Sequence, residues 1–162
     1  MRRLLAAITL SLCAWTAVAG PFEDGVAAGL AGDYPTAMRL WRPLADQGHA
    51  IAQRNLGNMY ANGRGVPQDY AEAMKWYRKA ADQGNAPAQL NLGLMYDRGQ
   101  GVPQDYVEAH KWFNLAAARA ADKESREKAT KNRDIVAAEM TPAQVAEAQK
   151  LAREWKPAPP VE

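Results

Sequence analysis

Apolar residues recur in the middle of the chain at the spacing of amphipathic helices. Ala52, Leu56, Met59 and Tyr60 follow one another at intervals of four, three and one residues, so they share one face of a helix. Most of the positions between them are polar. A second helix is predicted to begin after Asp69, whose carboxylate can cap its first turn. The pattern therefore predicts a helix–loop–helix unit.

This unit occurs twice with nearly the same sequence. Residues 50–81 and 86–117 are offset by 36 positions, and 21 of their 32 aligned residues are identical. A repeat of this period indicates a solenoid, in which stacked helix pairs bury a continuous core. Tyr34, Tyr70 and Tyr106 extend the same period backwards. The chain is therefore expected to contain another, shorter helix pair before the two full copies.

The repeats divide the chain into six segments. These are a leader at 1–19, a short helix pair at 20–49, full repeats at 50–85 and 86–121, a C-terminal helix pair at 122–155 and a tail at 156–162. The C-terminal pair differs from the others, as expected of an end cap with one docked face and one polar face. The tail is rich in proline and is expected to be disordered.

The first 19 residues have the three-part pattern of a secretory signal. Arg2 and Arg3 precede an apolar run at 4–15, and small residues lead up to Ala19. Cleavage is expected between Ala19 and Gly20, with an uncleaved membrane anchor as the alternative. The apolar run is short for a membrane span. The sequence therefore predicts a periplasmic or secreted protein that is not inserted in the membrane after cleavage.

Composition supports helices and excludes several kinds of chemistry. Alanine supplies 33 residues, whereas valine, isoleucine and threonine together supply 16, a balance that favours helix over sheet. Without the leader, 18 Lys and Arg residues face 18 Asp and Glu residues, so net charge gives no argument for nucleic-acid binding. Cys13, the one cysteine, lies in the leader. The remaining chain can form neither a disulfide nor a thiolate metal site.

The two full copies share the string L-G-x-M-Y-x-x-G-x-G-V-P-Q-D-Y-x-E-A-x-K-W, at 56–76 and 92–112. This string resembles the Sel1-like repeats, which are relatives of the tetratricopeptide repeats, and 132–149 resembles the ending of many bacterial members. The resemblance implies an all-α, right-handed α-solenoid of stacked helix–loop–helix repeats, with about eight helices. It also implies binding to other proteins, with the first helix of each pair lining a concave groove.

Positions that differ between the copies are free of the repeated structural role, so a binding surface is sought there. The candidates on the first helices are Arg54, Asn58, Leu90, Leu94, Asp97 and Arg98. Leu90 and Leu94 lie one turn apart, opposite the apolar stripe. They could anchor a helix or peptide of a partner, flanked by the polar candidates. The alternative is that the next helix pair covers both leucines.

Positions that recur are expected to have the same role in both copies. The structural set is Gly57, Gly93, Gly63, Gly65, Gly99, Gly101, Trp76 and Trp112. Asn55 and Asn91 also recur and have two interpretations. They could hold the backbone of a bound peptide, as asparagines do in related groove-forming repeats, or they could be buried amides that bond across a helix pair.

The chain carries little that indicates catalysis. Its two histidines, His49 and His110, lie in no metal-binding motif. Ser125 and Lys128 fit the S-x-x-K motif of penicillin-recognising enzymes, but the other motifs of those enzymes are missing. We therefore expect no enzyme, cofactor or metal. The expected function is that of a protein-interaction adaptor that regulates an envelope signalling or cell-wall process. The alternatives are a penicillin-interacting hydrolase and a structural subunit of a homo-oligomer.

Overall fold

The computed structural model describes residues 20–159, which form eight helices and no strand. They are α1 (Pro21–Leu30), α2 (Tyr34–Asp46), α3 (Ala50–Asn62), α4 (Tyr70–Asp82), α5 (Ala86–Arg98), α6 (Tyr106–Arg119), α7 (Lys123–Ala137) and α8 (Pro142–Glu154). Each helix from α1 to α6 packs against the next one along the chain, whereas α8 packs against α6. The expected all-α solenoid of about eight helices is confirmed. The leader lies outside the described residues.

The helix starts repeat with the sequence period. Asp33, Asp69 and Asp105 each accept a hydrogen bond from a backbone N–H in the first turn of a second helix. His49 Nδ1 and Asn85 Oδ1 do the same for α3 and α5. Such caps satisfy amide groups that have no partner inside the helix. The same capping position therefore starts each second helix.

Two recurring glycines allow the helices of each full repeat to pack closely. A Cβ atom on Gly57 would lie 2.5 Å from the ring of Tyr77, and one on Gly93 would lie 2.5 Å from the ring of Phe113. Real Cβ atoms do not approach aromatic carbons so closely. The aromatic ring of the second helix thus rests directly on the backbone of the first.

The loop between paired helices also contacts the preceding pair. Gly101 has a φ of 73° in this loop, and a Cβ atom there would lie 2.6 Å from the carbonyl oxygen of Tyr70. Gly65 approaches Tyr34 in the same way one repeat earlier, at 2.8 Å. Only glycine fits a position that combines positive φ with such a contact. These loops therefore fix the spacing between successive pairs.

Large aromatic side chains fill the core. Trp76 and Trp112 are each 1% exposed, and Trp112 belongs to the apolar cluster between the two full repeats. Trp155, which follows α8, meets Trp112 in an edge-on arrangement with the ring centroids 6.4 Å apart. The Arg119 guanidinium lies over the Trp155 ring, 4.4 Å from its centroid. The end of α8 is thus anchored to α6 by the contact between the half-buried Trp155 and the buried Trp112.

The described part of the tail, Lys156–Pro159, has no regular secondary structure. The backbone N–H of Ala158 donates a 2.6 Å hydrogen bond to the carbonyl of Asp82, at the end of α4. Pro159 and Ala158 also line a small depression beside this helix end. One point of the tail is therefore attached to the solenoid.

Candidate functional site

Two open depressions lie side by side on the face formed by the first helices. The N-terminal pocket, of about 270 Å³, is lined by Val26, Gly29, Leu30, Tyr34, Trp41, Arg54, Asn55, Asn58, Met59 and Arg64. The central pocket, of about 240 Å³, is lined by Asn58, Ala61, Asn62, Tyr70, Tyr77, Asn91, Leu94, Met95, Arg98 and Gln100. Asn58 belongs to both. We call the two pockets together the groove.

Arg54 lies half-buried on the α3 side of the N-terminal pocket. Its Nε and Nη2 atoms donate hydrogen bonds to Asn55 Oδ1, at 3.3 and 2.8 Å. Burial lowers the pKa of Arg54, because the charged form loses water, and the nearby Tyr77 partly opposes this effect. Arg54 is thus held in place by a neutral amide of its own helix.

Asn58 connects three helices. Its Oδ1 atom accepts hydrogen bonds from the Tyr77 hydroxyl of α4, at 2.7 Å, and from Asn91 Nδ2 of α5, at 3.2 Å. Asn55, by contrast, is buried and accepts from Arg54. The two recurring asparagines therefore make different contacts. Asn91 forms a hydrogen bond between two first helices, α5 and α3, whereas Asn55 orients the Arg54 guanidinium within α3.

The two leucine candidates on α5, Leu90 and Leu94, are half-buried rather than fully exposed. Leu90 and Leu94 pack against a cluster that contains Phe113 of α6 and Val136 of α7. Leu90 also packs against a second cluster that includes Ala129 of α7. Helices α6 and α7 thus cover one side of each leucine. Leu94 still lines the central pocket, whereas Leu90 does not line the groove.

The two charged candidates at the end of α5 have different surroundings. Arg98 is exposed and lines the central pocket. Asp97 is half-buried and lines neither pocket of the groove; its backbone carbonyl accepts a hydrogen bond from Gln104 Nε2. The structure therefore brings Arg54, Asn58, Leu94 and Arg98 to the groove.

Several groove residues are not among the sequence candidates. Leu30, Tyr34, Trp41 and Arg64 complete the N-terminal pocket. Leu30 is the most exposed large apolar residue of the described chain, at 85%. Comparison of the two full copies could not select Leu30, because the short first pair has no close copy. The signal available in the sequence was a leucine close to the loop at Gly32 and Asp33, where the helix is expected to end.

Ser125 and Lys128 both line a separate cavity of about 330 Å³ between α5, α6 and α7. The Ser125 hydroxyl donates a 2.8 Å hydrogen bond to Asp122 Oδ2, and its backbone N–H donates to Asp122 Oδ1. The Ser125 side chain therefore takes part in the capping of α7. Among residues 20–159, no cluster of His, Cys, Asp and Glu could hold a metal ion.

Three segments of the chain, at 21–49, 50–85 and 86–120, match the Sel1 repeat. The chain belongs to the Sel1 repeat family. Sel1 repeats generally mediate protein–protein interactions, and their fold is typically a non-enzymatic scaffold. Within the described part of this Sel1 repeat protein, no helix has the length and apolar character needed to cross a membrane.

Two solved structures resemble this Sel1 repeat protein. One is a protective antigen present in uropathogenic Escherichia coli strains that displays an SLR fold, with 33% identity and a TM-score of 0.77. The other is a Sel1 repeat protein from Oxalobacter formigenes, with 31% identity and a TM-score of 0.65. Each match covers 83% of this chain, but only 29% and 56% of the two respective proteins. No curated protein matches the chain.

Proposed function

We propose that this protein is an exported, non-enzymatic adaptor that binds a segment of another protein in its groove. The observation that carries the proposal is that the two pockets adjoin at Asn58, which lines both of them. Both offer apolar surface beside amide and guanidinium groups, which suits a peptide with both kinds of side chain. The helix pairs are preformed, so binding orders little of the solenoid itself.

Export is part of the proposal and rests on the sequence of the leader. A positive start, an apolar run and small residues before Gly20 fit a cleaved signal. An adaptor in the periplasm or outside the cell would have an envelope sensor or a cell-wall enzyme among its available partners. The proposed role is regulation of such a partner by occupancy of the groove.

The capping role of Ser125 weighs against the alternative of a penicillin-interacting hydrolase. Its hydroxyl proton points to Asp122, which is a capping carboxylate, and no hydrogen bond joins Ser125 to Lys128. A nucleophilic serine needs a base within hydrogen-bond reach. Incubation with a fluorescent penicillin, with Ser125→Ala as the control, should label neither protein.

Site-specific photo-crosslinking in the intact cell tests the adaptor proposal. A photoreactive residue at Asn62, which is exposed in the central pocket, is compared with one at Lys150, which is exposed on α8. We expect a protein that is captured from position 62 alone, and whose purified form binds the full chain. Asn62→Trp, which fills the central pocket from an exposed position, should abolish that binding. Equal capture from both positions, or binding that Asn62→Trp leaves unchanged, would contradict the proposal. Capture of a second copy of the chain would support the homo-oligomer instead.

A further inference from the structure

All the charged side chains that line the groove are positive. Arg54, Arg64 and Arg98 line its two pockets, and neither pocket is lined by an Asp or Glu residue. Ion pairs elsewhere in the described chain join Arg or Lys to a carboxylate within 4.0 Å, but none of them includes these three arginines. Because the chain as a whole is nearly neutral, this excess is local.

Arg54 is the least hydrated of the three cations. It is half-buried, and its hydrogen-bond acceptor is the neutral Asn55 amide. A guanidinium has five N–H donors, so most of them remain available to a ligand. The lowered pKa of Arg54 reflects the cost of holding this charge away from water. A carboxylate brought to the pocket would offset that cost through charge-assisted hydrogen bonds.

The same pocket has an apolar part. Leu30 is exposed at its edge, and the indole of Trp41 forms part of its lining. Gly29 faces this indole, with 3.3 Å between a Cβ atom at that position and the ring. Glycine at this position lets the ring lie close to the backbone of α1. The pocket itself, of about 270 Å³, has room for an apolar side chain next to two arginines, Arg54 and Arg64.

We propose that the groove binds an extended acidic segment of a partner protein, with Asp or Glu side chains at the three arginines and an apolar side chain in the N-terminal pocket. This inference rests on the proposed function and specifies the chemistry of the bound segment. Side-chain carboxylates are assigned because the cations are spread over two pockets. A single C-terminal carboxylate could pair with the arginines of only one pocket.

A peptide selection tests the inference. The full chain is used to select from a display library of random peptides with constant Gly-Ser flanks on both sides, so that acidic side chains supply the only selectable carboxylates. The charge variant is Arg64→Gln with Arg98→Gln, since both side chains are exposed and their loss spares the core. The matched control is Arg39→Gln with Lys150→Gln, two exposed cations outside the groove.

We expect selected peptides that combine Asp or Glu with a large apolar residue. Replacement of the acids of the best peptide by Gln, or use of the charge variant, should weaken binding about tenfold, because charge-assisted pairs are lost. The control variant should bind normally. Arg54→Gln should also weaken binding, and circular dichroism should show that its helices are intact.

Two results overturn the inference and remain distinguishable from failure of the proposed function. If selected peptides lack acids but lose binding when Asn62→Trp fills the central pocket, the groove binds a different class of segment and the adaptor proposal stands. If Asn62→Trp affects no selected peptide, both proposals fail. Equal competition by a single-stranded oligonucleotide of the same charge would also overturn the assignment, because it would indicate general attraction of polyanions.

Discussion

Tyr77 and Asn58 form a polar pair that the next repeat replaces with an apolar one. The Tyr77 hydroxyl donates to Asn58 Oδ1 at 2.7 Å. At the equivalent positions 36 residues later, Phe113 and Leu94 belong to the same apolar cluster. Both positions differ between the copies, so the tyrosine hydroxyl occurs in the copy whose asparagine can accept its hydrogen bond. The groove is therefore polar at Asn58 and apolar at Leu94.

The first prediction concerns the coupling between these two residues. Tyr77→Phe should lower the free energy of unfolding by about 1 kcal/mol, because one hydrogen bond is lost. Asn58→Leu should also destabilise the protein, because it leaves the Tyr77 hydroxyl without its acceptor. The double variant copies the second repeat, so it should lose less than the sum of the two single losses. Urea unfolding of all four proteins measures this difference, and strictly additive losses would contradict the coupling.

The second prediction is a loss of stability in alkali. Burial raises the pKa of Tyr77 above the ordinary value of 10.0, since the phenolate would lose water. The folded state then holds a proton that the unfolded state releases, and stability falls as the pH rises above 10. Tyr77→Phe should reduce this slope in urea unfolding. Part of the slope should remain, because the pKa of Tyr96 is raised by burial as well. An unchanged slope in Tyr77→Phe would be inconsistent with this account.

The repeat period explains why most of the fold could be predicted from the sequence. Asp69 and Asp105 occupy equal positions, and each caps a second helix. Gly57 and Gly93 recur because an aromatic ring occupies the space of a Cβ atom in both copies. A residue that has the same structural role in both copies recurs at the repeat period, so it can be recognised from one sequence. Short-range rules of capping and helix periodicity are then sufficient.

The groove could be predicted only in part. Arg54, Asn58 and Arg98 could be selected from the sequence because these positions differ between the two full copies. Leu90 differs as well, but it contacts α7, which belongs to a pair without the repeat pattern. The N-terminal pocket depends on Leu30, which lies in the short first pair. Contacts made by segments outside the repeat require the three-dimensional arrangement of the helices.

The third prediction is a loss of stability in mild acid through His110. This side chain is 2% exposed on α6, and its Nδ1 atom has no hydrogen-bond partner among the described residues. Burial lowers its pKa below 6.5, Arg133 lowers it further, and Asp134 partly opposes both. The unfolded state therefore takes up a proton first, so the stabilising contribution is complete above pH 6.5 and decreases as the pH falls.

His110→Met supplies the matched comparison, because Met74 occupies the equivalent position of the first copy and is also buried. We expect thermal unfolding of this variant to depend less on pH below about 6.5 than that of the wild type. Stability at neutral pH should be preserved or increased, since a buried polar atom without a partner is removed. The same acid dependence in both proteins would show that other groups cause it.

The last prediction concerns the close packing at Gly93. Alanine is the better helix former by about 1 kcal/mol, so a helix with open space at this position would gain stability from Gly93→Ala. Here the new Cβ atom would lie 2.5 Å from the Phe113 ring, which is fully buried and cannot move away. Overpacking of this kind costs about 1–3 kcal/mol, so we expect net destabilisation.

Gly29→Ala is the control for this substitution, because the nearest atom to its Cβ is a Trp41 ring carbon at 3.3 Å. A shift of a few tenths of an ångström in that ring would accommodate the methyl group. Gly93→Ala should therefore unfold at a lower urea concentration than Gly29→Ala, and the combination of Gly93→Ala with Phe113→Leu should recover part of the loss. If Gly93→Ala instead stabilised the protein, the first and second helices of the repeat would not be in the close contact described above.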